Sequence, residues 1–292
     1  MNDPTFKISN QINIEEINKV YGEKFENIIF EFVNLEIQWL QNAYNEYKDL
    51  DKYLILIKLI HKTLLTYNKH FYKMNFYDFY NSSNIEIEKI SIVELVKELN
   101  ISKETLRRKL NELSKDGIIV RKKKKIKLTY VSANKKLKKN VNNLARLLYI
   151  FTKNLVKEFK LSTLSREEIN KKILINYTQY WNLFFNFQIP YILRWKKICK
   201  SSENFYIFAL CAYNEIVNSK NISKINNNNI FENLETLHGN ISETQKKTKG
   251  LNPTTIAELS GIPRATVIRK LRISEKTGMI CKDNRQLYTI GS

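Results

Sequence analysis

One pattern of residues is written twice in this chain, 161 positions apart and without a gap. Ile101, Thr105, Arg108, Lys109, Leu110, Lys115, Gly117 and Ile119 reappear as Ile262, Thr266, Arg269, Lys270, Leu271, Lys276, Gly278 and Ile280. Self-similarity at a fixed offset implies one structural unit used twice, so it constrains the fold before any single element does. Upstream the echo is fainter: a Trp-bearing helix (Trp39; Trp181) and then a shorter apolar helix (Leu54 to Leu65; Phe205 to Val217) precede each copy. The expected organisation is a helical support over 1–89, a first module over 90–131, a second support with an Asn-rich linker over 132–250, and a second module over 251–292.

The class is mostly α. Seven Gly and four Pro in 292 residues leave too few turn formers for a many-stranded sandwich, while 43% hydrophobic residues suffice for a sizeable core. Apolar spacing predicts helices over about 25–48, 51–72, 135–160, 166–198 and 203–218. The uncharged stretch Ile173 to Leu193 is long enough to span a bilayer. Its amides, Asn176, Gln179, Asn182, Asn186 and Gln188, argue instead for a buried aromatic helix and against a membrane. Those aromatic helices are expected to be core, with a dimer interface or an effector pocket as the other readings. No glycine pattern for cradling nucleotide phosphates can be written. Cys199, Cys211 and Cys281 form no C-x-x-C, and His61, His70 and His238 are scattered. No metal, cofactor or catalysis is expected, and with no export signal the chain is expected in the cytoplasm.

The net charge is +20, but 39 Lys against 10 Arg, with 35 Asn, is a bias that base composition alone could produce. Position says more. Residues 1–89 carry 10 basic and 13 acidic groups, residues 90–131 carry 12 and 5, and residues 251–292 carry 7 and 3. Seven of the ten Arg fall within the two module windows. Base composition depletes Arg but does not place it.

Residues 255–271 (TIAELSGIPRATVIRKL) read as two helices joined by a tight turn. Ala257 is small where the helices cross, Gly261 can take φ > 0, and Pro263 suits the first position of the next helix. Val267 and Leu271 face inward and leave Arg264, Ala265, Ile268, Arg269 and Arg272 outward. In the first window Val96, Asn100, Ile101, Leu106, Leu110 and Leu113 form the packing set. Asn100 stands where the other copy has glycine, and the outer face is Ser102, Lys103, Glu104, Arg107, Arg108 and Asn111. A glycine, a short apolar pair, a charged tip and a β-like return follow each second helix, which is the outline of a wing.

These windows resemble the winged helix-turn-helix superfamily of bacterial transcription regulators, the second copy being most similar to the IclR and MarR types. The resemblance implies double-stranded DNA as partner, with the second helix of each module in the major groove and the wing on the backbone. Carried over, it implicates Ser102, Lys103, Arg107 and Arg108 in copy one and Arg264, Ala265, Thr266, Ile268, Arg269 and Arg272 in copy two. Arg121, Lys122, Lys123, Lys124, Lys125 and Arg285 would serve from the wings. Glu104 departs from the pattern by placing an acid toward the groove. The chain also ends after the second wing, where a MarR-type protein continues into dimerisation helices. One chain is expected to act as a pseudo-dimer or to form a homodimer. The alternatives are a plasmid or phage replication initiator with tandem winged helices, and a protein-interaction scaffold of the chromosome-condensation type.

Overall fold

The computed structural model describes residues 14–23, 25–82, 85–87, 91–122, 125–128, 135–159, 164–226 and 250–291. It is mostly helical. α1 (Ile14–Glu23) leads to α2 (Phe25–Tyr47) and α3 (Leu50–Lys69). The corner between α2 and α3 is sharp because Lys48 is left-handed, at φ 52°, and Asp49 caps α3 by accepting from the Lys52 N–H at 2.9 Å. α4 (Phe76–Asn81) follows, then β1 (Ile85–Ile87), α5 (Ile92–Leu99), α6 (Lys103–Lys115), β2 (Ile119–Lys122) and β3 (Lys125–Leu128). These strands form an antiparallel sheet in the order β1-β3-β2, with Leu128 opposite both Ile85 and Ile119.

Next come α7 (Lys135–Phe159), α8 (Arg166–Ile175), α9 (Tyr177–Ile198) and α10 (Ser202–Asn226). Two shorter helices, α11 (Pro253–Ser260) and α12 (Arg264–Lys276), and a hairpin of β4 (Ile280–Lys282) and β5 (Tyr288–Ile290) close the described chain. Glu215 on α10 accepts the Ile290 N–H at 2.7 Å and so ties the last strand to a support helix.

Three expectations need correction. The helix expected over 166–198 is two, because Asn176 leaves helical geometry (φ −106°, ψ 43°) and its own N–H ends α8 on the Lys172 carbonyl. α10 runs into the segment read as a polar connection, and residues 227–249, including Asn227, Asn228 and Asn229, lie outside the described residues. Pro263 is the N-cap of α12 and not its first helical residue: its ψ of 134° is extended, and the helix begins at Arg264.

The supports are crossed. α3 packs against α9 and α10 packs against α2. α2 begins at 25 and α9 at 177, α3 at 50 and α10 at 202, in each case 152 residues apart. Lys48 and Lys200, the same distance apart, are both left-handed, with φ 52° and 66°. α2 serves two cores from opposite faces. Leu35 and Trp39 join Trp181, Phe184 and Phe185 of α9, with Trp39 at 5.2 Å from Phe184 and 5.9 Å from Trp181. Ile37, Leu40 and Tyr44 join Phe205, Tyr206 and Leu210 of α10 and Val267 and Leu271 of α12.

Where α2 meets α9, the buried Glu36 accepts from Gln188 Nε2 at 2.8 Å. These two residues are also 152 apart in the sequence. Burial pushes the Glu36 carboxyl up to about 8 against the pull of the Gln188 hydrogen bond. A carboxyl raised in the folded state keeps its proton where the unfolded chain has lost it. The contribution of Glu36 to stability is therefore greatest below the ordinary carboxylate range, falls as pH climbs towards 8, and changes no further above it. Glu36→Gln should then be the more stable form at pH 8, by on the order of 2–4 kcal/mol, and match the parent near pH 4. Urea unfolding at the two pH values checks this, and an equal difference at both would contradict it.

Candidate nucleic-acid interface

The first helix-turn-helix is built around a left-handed residue. Asn100 ends α5 at φ 50°, donating its N–H to the Val96 carbonyl, and Asn is the non-glycine residue that adopts this conformation most readily. Ser102 then caps α6 by accepting the Thr105 N–H at 3.1 Å. Leu95, Leu99, Leu106, Leu110 and Leu113 are fully buried, which leaves Ser102, Lys103, Glu104, Arg107, Arg108 and Asn111 exposed on one side. Arg108 pairs with Glu112 at 3.2 Å along the helix, and Arg121 donates to Asn111 Oδ1 at 2.8 Å, which fixes the start of the hairpin to the exposed side of α6. Lys103 and Arg107 have no acidic partner among the described residues.

The second pair of helices repeats these boundaries at 161 residues: α5 with α11, α6 with α12, and the start of β2 with the start of β4. Gly117 and Gly278 take φ 70° and 73° at the same offset. Gly261, at φ 72°, is required twice over, since a Cβ there would also lie 2.9 Å from Asn45 Oδ1. Val267 and Leu271 are buried, Arg264, Ala265, Arg269 and Arg272 are exposed, and Thr266 and Ile268 are half-buried. Arg264 Nε donates to Thr254 Oγ1 at 3.1 Å. In the last hairpin Asp283 accepts from the Leu287 and Arg285 N–H groups at 2.8 and 2.9 Å, which hold its carboxyl below the usual range, and Arg285 stands exposed beside it. Of the lysine run, Lys122 and Lys125 lie on the β2 and β3 backbones, and Lys123 and Lys124 lie outside the described residues.

What holds these faces outward was not assigned from the sequence. Lys109 is buried on the inner side of α6 and forms an ion pair with Asp49, the cap of α3. Its repeat partner Lys270 lies on the inner side of α12 and reaches Ser201 Oγ at 2.8 Å and Glu203 at 3.2 Å, at the start of α10. Each second helix is thus clamped by one lysine to the N-terminus of a support helix. Between the two clamps, burial raises Asp51, but Lys196 at 2.9 Å and the Ser202 hydroxyl at 2.7 Å outweigh it and hold the carboxyl below its ordinary value. The signal was present: Lys109 is three residues after Leu106 and four before Leu113, a spacing that points inward.

The amides of the aromatic stretch also face the supports, with Asn186 meeting His61 Nε2 at 2.9 Å and Gln188 meeting Glu36. Tyr177, Trp181, Phe184 and Phe185 are core. Cys199 and Cys211 are buried, which pushes both thiols up to about 12, and Cys281 contacts Thr289 Oγ1 at 3.0 Å. Among the described residues no group of His, Cys, Asp or Glu is placed to hold a metal ion, and no helix is long and apolar enough to cross a membrane.

Compared with known families, residues 86–123 match the DeoR-like helix-turn-helix domain, a DNA-binding domain of transcription regulators. The match covers the last two residues of β1, α5, α6 and β2 of the hairpin. It falls on the first copy, whereas the IclR and MarR resemblance drew on the second. No curated protein and no solved structure matches the chain.

The clamp separates charge from capping. Asp49→Asn keeps an oxygen for the Lys52 N–H but strands a buried ammonium, so it should cost about 3 kcal/mol, whereas Lys109→Met, which removes the buried charge, should cost less. Chemical denaturation ranks them, and the reverse order would contradict the clamp.

Proposed function

We propose that this chain is a sequence-specific double-stranded DNA-binding transcription regulator with two winged helix-turn-helix modules, made by duplication, on crossed helical supports. The observation that carries the reading is the pairing of two helix-turn-helix segments with equal helix boundaries, each followed by a hairpin, each showing a basic outer face and each clamped by the lysine at the same position, Lys109 or Lys270. The DeoR-like match supports the first module directly. The second is supported by its shared register and by the placement of Arg, whose planar fork suits guanine edges and phosphates. The reading assigns the chain no catalytic step and no cofactor, and places it in the cytoplasm with DNA as its partner.

In this reading α6 and α12 lie in major grooves and the hairpins on the backbone. The two half-sites differ. Arg264, Ala265, Ile268 and Arg269 would meet one, with Ala265 and Ile268 suited to a thymine methyl. Lys103, Glu104, Arg107 and Arg108 would meet the other, with Glu104 able to accept from cytosine. The preferred site is an imperfect palindrome.

Selection of bound duplexes from a random pool supplies the site, and titration on it across salt concentrations tests the reading. With six to ten phosphates neutralised, the log–log salt slope should be about −5 to −9. A flat dependence would remove DNA as the partner. On the selected site Arg264→Ala and Arg269→Ala should each cost about 1–3 kcal/mol and relax base choice locally. Equal losses on selected and random duplexes would make them phosphate anchors only.

A further inference from the structure

The two turns have different surroundings. Beside the turn of the second pair, α2 presents uncharged groups: Gln41 Nε2 donates to the Leu259 carbonyl at 2.9 Å, and Asn45 sits against Gly261. Beside the turn of the first pair, the C-terminal end of α9 and the end of α5 enclose an open cleft of about 600 Å³. Leu99 and Leu193 line it together with the left-handed Asn100, and Arg194, Lys197 and Lys200 stand around it. At the offset of 152 their counterparts are Asn42, Asn45 and Lys48. Asn42 is bonded to Asn140, and Lys48 lies over the Tyr44 ring. The cations around the cleft are therefore not matched at the corresponding positions of α2, where Arg194 and Lys197 are replaced by Asn42 and Asn45.

Three of its four cations are not spent internally. The one acid in the lining, Glu98, faces Lys58 at 3.3 Å and Lys62 at 3.4 Å, and Lys196 is held by Asp51. Arg194, Lys197 and Lys200 are exposed and have no acidic partner among the described residues. A favourable end charge for α9 needs one or two cations on the helix itself, which Lys196 and Lys197 supply. It does not account for Arg194 and Lys200 converging on a neighbouring turn. When a helix-turn-helix docks, its first helix crosses the phosphate backbone while the second enters the groove. The end of α5 is therefore where backbone passes, and three unpaired cations stand there.

We infer that this cleft is a phosphate site that takes the DNA backbone flanking the half-site read by α6, so that the first module grips its DNA from the support as well as from the helix-turn-helix. The inference rests on the DNA-binding reading above. The full-length variant Arg194→Gln/Lys197→Gln/Lys200→Gln, titrated on the selected duplex, should show a salt slope shallower by about 2–3, since each lost phosphate contact removes about 0.9. Its low-salt affinity should fall at least tenfold on selected and random duplexes alike, with an unchanged melting temperature. A control with the same charge loss, Arg166→Gln/Lys171→Gln/Lys172→Gln on α8, lies at the far end of α9, about 33 Å away at 1.5 Å per residue, and should leave the slope unchanged. Equal slopes for parent and cleft variant overturn the inference while leaving the DNA reading intact, and a flat slope for the parent fails that reading itself. If both variants flatten the slope alike, the effect is net charge and the cleft has no special part. Pyrophosphate at matched ionic strength separates the sources: stabilisation of the parent but not of the cleft variant, with equal DNA slopes, would make the ligand a free phosphate compound and overturn the assignment to backbone.

Discussion

Everything described depends on the exchange of packing partners between α2–α3 and α9–α10. α3 carries the first clamp but finds its apolar partner in α9, and α10 carries the second clamp but finds its partner in α2. Neither pair can bury its apolar stripe alone. Trp39 against Trp181 and Phe184 on one face of α2, and Leu40 against Phe205 and Tyr206 on the other, make α2 common to both cores. A helix fixed on two faces cannot tilt without disturbing both cores, so the crossing sets the position of α6 and α12 relative to each other.

Polar groups inside this crossing specify it more than they stabilise it. Glu36 meets Gln188 where a pair of leucines would pack as well, and the cost of keeping a carboxyl there appears as its raised pKa. Lys109, buried, and Lys270, half-buried, act similarly: an ammonium held between a support and a helix tolerates few geometries, so each fixes the rotation of its helix and with it which residues face outward. A purely apolar inner face on α6 would hold the helix but leave its register looser.

Much of this was legible in the sequence, at different depths. The two short helix pairs were legible because turn chemistry at Asn100 and Gly261 is local and the buried positions keep their spacing, Leu95, Leu106 and Leu110 in one and Ile256, Val267 and Leu271 in the other. The supports were legible as helices only. Their correspondence at 152 leaves few identities, Phe32 with Phe184, Ile37 with Ile189 and Ile55 with Ile207 among them, since apolar packing conserves class and not type. The two tryptophans that mark the support helices meet in one core, and at the offset of 152 Trp39 stands opposite Tyr191 in the sequence. The break at Asn176 and the α9 cleft were not legible, because both depend on long-range contacts such as the Thr178 N–H with the Met74 carbonyl.

The central claim is that one chain presents two DNA-reading helices through a crossed support. The mass of the complex on a selected duplex, measured with its footprint, tests it most directly. The account predicts one chain protecting about two helical turns, with half-site centres one turn, roughly 34–36 Å, apart. Two chains on a perfect palindrome would contradict it.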